Sequence, residues 1–421
     1  MKFAVSKQIS LFDEDIEVVL SELPPEKPVR LVLTCFHSSG NFHSWARFAA
    51  SKDGVVDLTK DEPFDGTYWG VDGMGLFSSM CPTPNSRLGT IMSFTNVEEL
   101  LVSYQLMVYS YKEEILGQTT ILKRFMDASV ERIEINIGNL RGVLFKPKNT
   151  KVHRSVIDMC GLGGKCKEHR AALLANKGFA VLALALYDFK DRPKRLNNID
   201  LKYVKEAIDW ITSQPFSTKK CVILGQSFGG YVAYLAALKH DKIASVITLN
   251  APTFTGTGIT IFEDGKKAPH IFNLTQKQER ERLHVRNIVY NVGLWTKIFD
   301  EEPEIIEPFY LPMELVPENV AFLVIAGEKD ESMPAVRWCK LLEKRLRKVP
   351  NRRVETIYLK NSGHMIEPPH MPHYDILYTP PVYWAQGGDQ YLQCVEQREI
   401  WPKIHDFIKS TLEIKDERCK L

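Results

Sequence analysis

The sequence predicts an N-terminal β-sandwich followed by a doubly wound α/β domain with a mostly parallel sheet. Up to about residue 140, short segments with alternating or aromatic side chains, such as VRLVLTCF (29–36), are separated by turn clusters. This pattern is typical of a β-sandwich. After residue 154, short apolar segments alternate with amphipathic ones, as in α/β domains. A chain of 421 residues is long enough for two domains, and we place them at 1–140 and 141–421.

The elements of the second domain follow one another in a regular order. A hairpin at 132–148 leads into it, and AVLALALYDF (180–189) is apolar at all positions but one, as expected where helices cover both faces of a parallel sheet. In the segment 201–214 the apolar residues lie on one helical stripe. The predicted strands are 155–161, 180–189, 221–225, 243–250, 320–327 and 354–359, and the predicted helices are 167–178, 201–214, 231–240 and 338–348.

Residues 251–315 interrupt this alternation. They carry many charges, including the run QKQERERL, and show no clean periodicity. We interpret them as an insertion or lid near the carboxyl edge of the sheet. The alternative is a solvated surface helix.

Composition and charge narrow the classes of partner. The chain is 44% hydrophobic and 25% charged, and its 54 basic and 52 acidic residues give a net charge of +2. We therefore expect neither a nucleic-acid partner nor binding to an anionic membrane surface. No apolar stretch reaches the roughly 18 residues of a spanning helix, so we expect no signal peptide and no membrane span. Eight cysteines without a CxxC pair predict a reducing compartment and no zinc site.

The stretch Gly225-Gln226-Ser227-Phe228-Gly229 matches the pattern G-x-S-x-G. It lies between an apolar strand and an amphipathic helix, which is the context that this motif requires in an α/β-hydrolase domain. There the serine takes a strained backbone conformation in a sharp turn, and small neighbours avoid collisions. We predict that Ser227 is a nucleophile. The alternative is a turn that merely needs small residues.

A serine nucleophile also requires a histidine base and an orienting carboxylate, in the chain order Ser, Asp or Glu, His. His364 lies in a glycine-containing loop directly after the strand VETIYL, and we predict that it is the base. The strand VAFLVIAG is followed by Glu328, Asp330 and Glu331, and spacing does not decide among them. We choose Asp330 because its shorter side chain holds an imidazole more rigidly. Its alternative role is helix capping.

The other histidines stand in less suitable contexts, either before the α/β alternation or in helical and irregular segments where a packed or solvated histidine is expected. His370 and His373 lie close to His364 in HMIEPPHMPH. The prolines of that segment break any helix that would align the three as metal ligands, so we expect no metal site.

We expect an oxyanion hole made by two backbone N–H groups. One belongs to Phe228, at the start of the helix after the serine, and the other to Leu162, in the loop Cys160–Gly164 after the first buried strand. A dinucleotide fingerprint is the competing interpretation of this loop, but its third glycine would fall at Cys166. We therefore expect no cofactor.

With these residues in place, the chain resembles the acyl-CoA thioesterase and bile acid-CoA:amino acid N-acyltransferase family over nearly its whole length. The matching segments are FDGTYWGVDGMGLFSSM in the first part and, in the second, RGVLFKP, GLGGKCKEHRAALLANKGFAVLALALYDF, the GxSxGG turn and GHMIEPP. The resemblance places the triad on Ser227, Asp330 and His364. It implies a β-sandwich followed by an α/β-hydrolase domain, with fatty or bile acyl thioesters of coenzyme A as substrates.

A serine at the turn favours hydrolysis among the reactions that the resemblance implies. Members with cysteine there can pass the acyl group to an amine, because a thioester intermediate favours aminolysis, whereas the oxoester of a serine is more readily taken by water. We expect an acyl-CoA thioesterase, with N-acyl transfer to glycine or taurine as the alternative. A non-catalytic protein on a hydrolase scaffold and a carboxylesterase or peptidase are further alternatives. Lys165, Lys167 and Arg170 either reach the phosphates of the coenzyme or are solvated charges.

The chain ends in Cys419-Lys420-Leu421, which resembles the S-K-L peroxisomal address. We therefore expect a peroxisomal import receptor as a partner and a peroxisomal location, which several members of the family share. The alternatives are a charged tail without meaning and a cytoplasmic location.

Overall fold

The computed structural model contains a β-rich N-terminal region followed by a larger α/β region. The structure describes residues 1–94, 96–149, 151–161, 165–194, 199–254, 259–263, 265–268, 272, 274–379 and 381–414. Leu162, predicted to contribute to the oxyanion hole, and the predicted address at 419–421 lie outside the described residues.

Among the described residues, two sheets make up the N-terminal region. Their strands are β1 (Lys2–Val5), β2 (Ile9–Leu11), β3 (Val18–Ser21), β4 (Pro28–His37), β5 (Gly40–Ala49), β6 (Val56–Asp57), β7 (Asp65–Gly66), β8 (Cys81–Pro82), β9 (Val102–Ser110) and β10 (Ile115–Arg124), with a short helix α1 (Gly75–Ser78) between β7 and β8. The larger sheet has the order β2-β10-β9-β4-β5-β7, with β8 paired to β5, and the smaller sheet has the order β1-β3-β6.

The two sheets share one hydrophobic core. Leu20 of β3 and Leu33 of β4 are both fully buried in it. Along β4, buried positions alternate with partly exposed ones, because one face of the strand packs inward and the other faces solvent. The β-sandwich that the alternating sequence pattern predicts is confirmed.

The second region is built on a mostly parallel sheet. The remaining strands are β11 (Val130–Ile137), β12 (Leu140–Pro147), β13 (His153–Met159), β14 (Ala180–Leu184), β15 (Ile199–Asp200), β16 (Ser217–Gln226), β17 (Ile243–Leu249), β18 (Ile261–Glu263), β19 (Lys266–Lys267), β20 (Leu283–Val285), β21 (Ile288–Tyr290), β22 (Ala321–Gly327), β23 (Val354–Leu359), β24 (Ile376–Thr379) and β25 (Val382–Ala385). In the part of the chain that the structure describes, the main sheet has the order β11-β12-β14-β13-β16-β17-β22-β23. β12 is antiparallel to both of its neighbours, and the pairs from β14 to β23 are parallel. The predicted doubly wound sheet is confirmed.

The hairpin predicted at 132–148 is formed by β11 and β12, and both of its strands belong to the main sheet. The predicted domain boundary after residue 140 falls at the start of β12 and therefore separates two paired strands of one sheet. The sequence of β11 alternates apolar and polar residues like the N-terminal strands. In the structure β11 is the edge strand of the main sheet, and most of its residues are partly or fully exposed.

Helices cover both faces of the main sheet. They are α2 (His169–Asn176), α3 (Leu201–Ser213), α4 (Phe228–Ala237), α5 (Gln276–Arg280), α6 (Val292–Glu301), α7 (Pro303–Ile306), α8 (Ala335–Leu346) and α9 (Leu392–Thr411). α2 and α9 share a core with the N-terminal region, whereas α3, α4 and α8 pack on the opposite face. Every residue of β17 and β22 is buried, which explains why these strands consist mostly of apolar residues. None of the helices in the described residues is both long and apolar enough to cross a bilayer.

The predicted insertion at 251–315 lies between β17 and β22, which are neighbours in the main sheet. It contains short strands, α5, α6 and α7, and it has an aromatic core of its own. Phe254, Trp295 and Phe299 pack there against Trp338 of α8. This core explains the aromatic residues between the charged runs. A lid function of the segment stays a prediction.

Candidate active site

Ser227 lies in a sharp turn between β16 and α4, at the carboxyl edge of the main sheet. Its backbone has φ 52° and ψ −123°, a conformation that a residue with a side chain adopts only under constraint. The constraint comes from both sides. The Ser227 N–H donates to the carbonyl of Leu249, at the end of β17 (2.8 Å), and the Ser227 carbonyl accepts from the N–H groups of Gly230 and Tyr231 in the first turn of α4 (2.9 and 3.2 Å).

The glycines of this turn are required by close backbone contacts. A Cβ on Gly225 would lie 2.5 Å from the carbonyl oxygen of Gly229, and a Cβ on Gly229 would lie 2.5 Å from that of Met159 in β13. Neither contact can be relieved by a side-chain rotation, because the atoms on the other side are backbone. The predicted physical reason for the glycines is therefore present in the structure.

The structure brings the three predicted side chains together. His364 Nε2 lies 2.9 Å from Ser227 Oγ, and His364 Nδ1 lies 2.7 Å from Asp330 Oδ2. All three residues are buried, with Ser227, His364 and Asp330 only 4–6% exposed. A carboxylate can only accept, so Nδ1 carries the proton and donates to Asp330, and Nε2 is left to accept from the serine hydroxyl. The arrangement can remove a proton from Ser227.

The second oxygen of Asp330 is also held. Asp330 Oδ1 accepts from the N–H groups of Ser332 and Met333 (2.8 and 2.9 Å), which fixes the carboxylate plane toward His364. Helix capping, the alternative role for Asp330, is not observed: α8 begins at Ala335 without a side-chain cap.

The two other carboxylates of this loop do not contact His364. Glu328 is exposed. Glu331 is half-buried, and burial together with the neighbouring carboxylates of Asp375 and Asp330 raises its pKa. Of the three candidates that spacing left open, only Asp330 faces the imidazole.

The loop that carries His364 is anchored by residues that the sequence analysis did not identify. Asn250, fully buried at the end of β17, donates to the carbonyls of Gly363 and His364 (2.8 and 2.9 Å) and accepts from the Gly327 N–H at the end of β22 (2.7 Å). It thereby connects the strand beside the serine with both the acid loop and the histidine loop. The available signal was a polar residue that ends the apolar strand IASVITLN at this sheet edge.

Two glutamines hold the same loop from the other side. The His364 N–H donates to the Gln386 carbonyl (2.7 Å). Gln393 of α9 accepts from the Gly363 N–H (2.8 Å) and donates to the Met365 carbonyl (2.7 Å). These contacts come from a segment that returns to the site after β25, so spacing along the chain gave no sign of them.

Of the predicted oxyanion donors, the structure describes one. Phe228 is the first residue of α4, where helix geometry leaves N–H groups without intrahelical acceptors, and its ring is buried in the core. The loop after β13 approaches the serine closely, since a Cβ on Gly161 would lie 2.9 Å from Ser227 Cβ.

Two of the three cations near the glycine loop form ion pairs within the protein. Lys167 pairs with Glu367 (3.7 Å), and Arg170 makes a buried ion pair with Asp158 (2.5 Å). Lys165 is exposed. One of the sequence-based alternatives was that these residues are solvated charges. The ion pairs show that this alternative is wrong for Lys167 and Arg170.

The two histidines that follow His364 make contacts with the N-terminal region. His370 Nε2 lies 2.9 Å from Asp15 Oδ1, and the His373 N–H donates to the Met80 carbonyl (3.0 Å). Burial lowers the pKa of both imidazoles, that of His370 to about 4. No group of His, Cys, Asp or Glu side chains that could hold a metal ion occurs in the described residues.

The parallel sheet, the serine turn at its carboxyl edge and the imidazole beside it define an α/β hydrolase. Residues 199–414 match the family described as BAAT / Acyl-CoA thioester hydrolase C terminal, and residues 13–137 match the one described as Acyl-CoA thioester hydrolase/BAAT N-terminal region. The chain belongs to this family, as the resemblance implied.

Relatives align over nearly the whole chain. Acyl-coenzyme A thioesterase 3 from Mus musculus is 27% identical over 96% of this chain and 93% of its own length. Acyl-coenzyme A thioesterase 2, mitochondrial, from Homo sapiens is 28% identical over 95% and 82%. Bile acid-CoA:amino acid N-acyltransferase from Mus musculus is 27% identical over 96% and 96%. The family thus supports acyl-CoA thioester chemistry, with hydrolases and acyltransferases at similar identity.

Proposed function

We propose that the protein is an acyl-CoA thioesterase that hydrolyses fatty acyl-CoA, or a related acyl-CoA, to the free acid and coenzyme A. The observation that supports it most is the 2.9 Å contact between His364 Nε2 and Ser227 Oγ, in a chain of a family whose members act on acyl-CoA. A serine becomes a useful nucleophile only when a base lies at this distance.

The reaction would proceed in two halves. His364 takes the hydroxyl proton as Ser227 Oγ bonds to the thioester carbonyl carbon, and Asp330 stabilises the imidazolium that forms. The tetrahedral intermediate then expels the coenzyme A sulfur, which receives the proton from His364, and leaves an acyl-enzyme. In the second half His364 deprotonates a water molecule, which attacks the ester and releases the acid and Ser227.

The negative charge of each tetrahedral intermediate would be bound by the N–H groups of Phe228 and Leu162. The first lies at the start of α4, and the second belongs to the loop whose Gly161 approaches Ser227. Loss of one such donor costs on the order of a hundredfold or more in rate.

The test is release of coenzyme A from a panel of acyl-CoAs by the wild type and by Ser227→Ala. We expect a loss of about 10⁴-fold or more in kcat. Ser245→Ala is the matched control, because Ser245 is a buried serine of the neighbouring strand β17 that bonds to Thr411 (2.8 Å), and it should retain activity. Release that is unchanged in Ser227→Ala would rule out the proposed mechanism.

A second experiment distinguishes hydrolysis from acyl transfer. With glycine or taurine present, an acyl-enzyme on serine should still yield mainly free acid. An amide as the main product would assign the protein to the acyltransferases of its family instead. Hydrolysis of an oxygen ester as fast as that of its thioester analogue would favour a carboxylesterase.

A further inference from the structure

A buried carboxylate, Glu367, joins the two loops that flank Ser227. It lies three residues after His364 in the chain and is 8% exposed. Its side chain contacts His169 Nε2 (2.9 Å) and Lys167 Nζ (3.7 Å). Both partners lie in the segment that follows the glycine loop, so this contact connects that segment with the histidine loop.

The segment with these partners is fixed on its other side as well. Glu168, between Lys167 and His169, accepts two hydrogen bonds of 2.8 Å from the guanidinium of Arg132 in β11. The preceding glycine loop begins at Gly161, against Ser227. Gly161 thus lies at the serine, and the described residues 167–169 are bound to Glu367 and to the edge strand β11.

A second contact links the same histidine-loop residues to the serine turn. Gln226, directly before Ser227, donates to the carbonyl of Ile366, directly before Glu367 (3.3 Å). Gln226 also accepts from Arg170 (3.4 Å), whose guanidinium is held by Asp158 of β13. The serine turn, the histidine loop and the start of α2 therefore meet in one polar network.

The charge on Glu367 is stabilised where it lies. Burial raises the pKa of the carboxyl, but the charge of Lys167 and the hydrogen bond with His169 outweigh burial and bring the pKa to about 2. Removing one partner of a buried ion pair leaves the other charge uncompensated and disturbs the segment that carries it. Glu367 is therefore ionised at neutral pH, and its contacts with Lys167 and His169 join the histidine loop to the segment before α2.

We propose that Glu367 is a positioning residue, which binds Lys167 and His169 to hold the segment 165–169 in register with His364. This inference rests on the proposed function, since it takes the glycine loop as the source of the second oxyanion donor. Stabilisation of an oxyanion depends on donors that are placed before the reaction begins. Glu367 thus acts through the loop and does not touch the substrate.

The test compares Glu367→Gln and Glu367→Asp with the wild type. We expect Glu367→Gln to lower kcat about 10- to 100-fold with KM changed less than about twofold, because a misplaced donor weakens binding of the transition state more than of the substrate. Glu367→Asp keeps the charge and should recover part of kcat. The rate at which a fluorophosphonate labels Ser227 should fall in parallel, because that reaction also builds negative charge beside the serine.

Arg352→Met is the control for loss of a buried charge. Arg352 is a buried cation just before β23, at the amino edge of the main sheet, whereas the serine lies at the carboxyl edge. It donates to the carbonyls of Met313 and Leu346. The substitution Arg352→Met should lower the melting temperature and leave kcat unchanged. If Glu367→Gln behaves in the same way, the inference is overturned.

Two further outcomes are informative. If Glu367→Gln does not fold, Lys167→Met removes the charged partner instead and should give the same fall in kcat at unchanged KM. An unchanged kcat in that variant would also overturn the inference. If the wild type itself neither hydrolyses acyl-CoA nor is labelled at Ser227, it is the proposed function that fails.

Discussion

The serine turn (residues 225–230) and the histidine loop (residues 363–373) meet at the contacts Ser227–His364 and Gln226–Ile366, but they are held in different ways. The serine turn is fixed by backbone atoms of adjacent elements, through the bond to Leu249 and the tight packing of its glycines. The histidine loop is fixed by side chains from distant parts of the chain, among them Asn250 and Gln393.

This difference in anchoring matches two different requirements of the site, namely rigid support for the nucleophile and a fixed orientation for the imidazole. A nucleophile on a strained turn needs rigid surroundings that are always present, and close backbone packing supplies them. An imidazole must hold one tautomer and one direction, and this is set by hydrogen bonds that single substitutions can remove. Changes in the turn should therefore act mainly on stability, whereas changes around the loop that redirect the imidazole should also lower the rate.

The largest effect on rate short of losing the serine is expected from Asp330→Asn. The carboxamide oxygen would be kept by the N–H groups of Ser332 and Met333, so the amide NH₂ would face His364 Nδ1. The imidazole would then carry its proton on Nε2, which could no longer accept from Ser227. We expect kcat to fall about 10³- to 10⁴-fold in an acyl-CoA hydrolysis assay.

Glu328→Gln is the control for this change. Glu328 lies in the same loop but is exposed and does not contact His364, so kcat should be unchanged. Asp330→Asn with nearly full activity would show that the imidazole does not need the carboxylate, and the role assigned to Asp330 would be wrong.

Gly229→Ala tests the serine turn. Its Cβ would lie 2.5 Å from the Met159 carbonyl oxygen and 2.6 Å from that of Cys160, so the end of β13 would have to move. We expect the free energy of unfolding to fall by about 3 kcal/mol or more, as for other overpacked sites. Chemical denaturation followed by circular dichroism measures it.

The matched control is a glycine in another helix. Gly293 in α6 has no atoms within 4 Å of an added Cβ, so Gly293→Ala should be neutral or stabilise the protein by up to about 1 kcal/mol. Equal effects of the two substitutions would contradict the role given to close packing in the turn.

The same difference explains what the sequence could predict. The serine turn, its flanking elements and the positions of Asp330 and His364 at strand ends follow from local patterns, because each depends on neighbours in the chain. Gln386 and Gln393 could not be placed, since their contacts depend on how the chain returns from β25 to α9. The domain boundary after residue 140 stays a prediction. In the structure it falls between β11 and β12, which are paired strands of one sheet.

Asn250→Ala tests the histidine loop. It removes three buried hydrogen bonds and leaves the Gly363 and His364 carbonyls without a donor. We expect a loss of about 2 kcal/mol in stability and a fall of roughly tenfold in kcat, because the imidazole is less well directed toward Ser227. Steady-state kinetics and thermal unfolding measure both.

Asn176→Ala provides the comparison. Asn176 also makes three hydrogen bonds, to Phe125, Ala172 and Asp127, at the contact between α2 and the N-terminal region. It should lose similar stability with kcat unchanged. A fall in kcat of the same size in both variants would mean that Asn250 has no specific role in placing His364.

The smallest expected effect is a loss of stability at acidic pH. The serine turn has no side chain that titrates between pH 4 and 7, whereas the histidine loop includes the buried His370. Burial lowers the pKa of His370 most, and the charges of nearby Lys123 and Arg398 also lower it. Asp15 raises it, and the resulting pKa is about 4. An unfolded histidine has a pKa of about 6.5, so the unfolded chain binds the proton first as the pH falls from about 6.5 to 4. Stability should decline over this window, by about 2 kcal/mol from this residue once the pH has reached 5.

Hydrogen exchange at pH 7 and pH 5, corrected for the intrinsic rates, should locate this decline. We expect protection to fall first in residues 363–373 and to persist in 225–230, because protonated His370 loses its place against the N-terminal region while the backbone contacts of the turn are unaffected. In His370→Asn, which tolerates the positive φ of 65° at this position, stability should depend less steeply on pH between 6.5 and 4. Protection lost equally in both segments would indicate global unfolding and would contradict the separate anchoring of the two parts of the site.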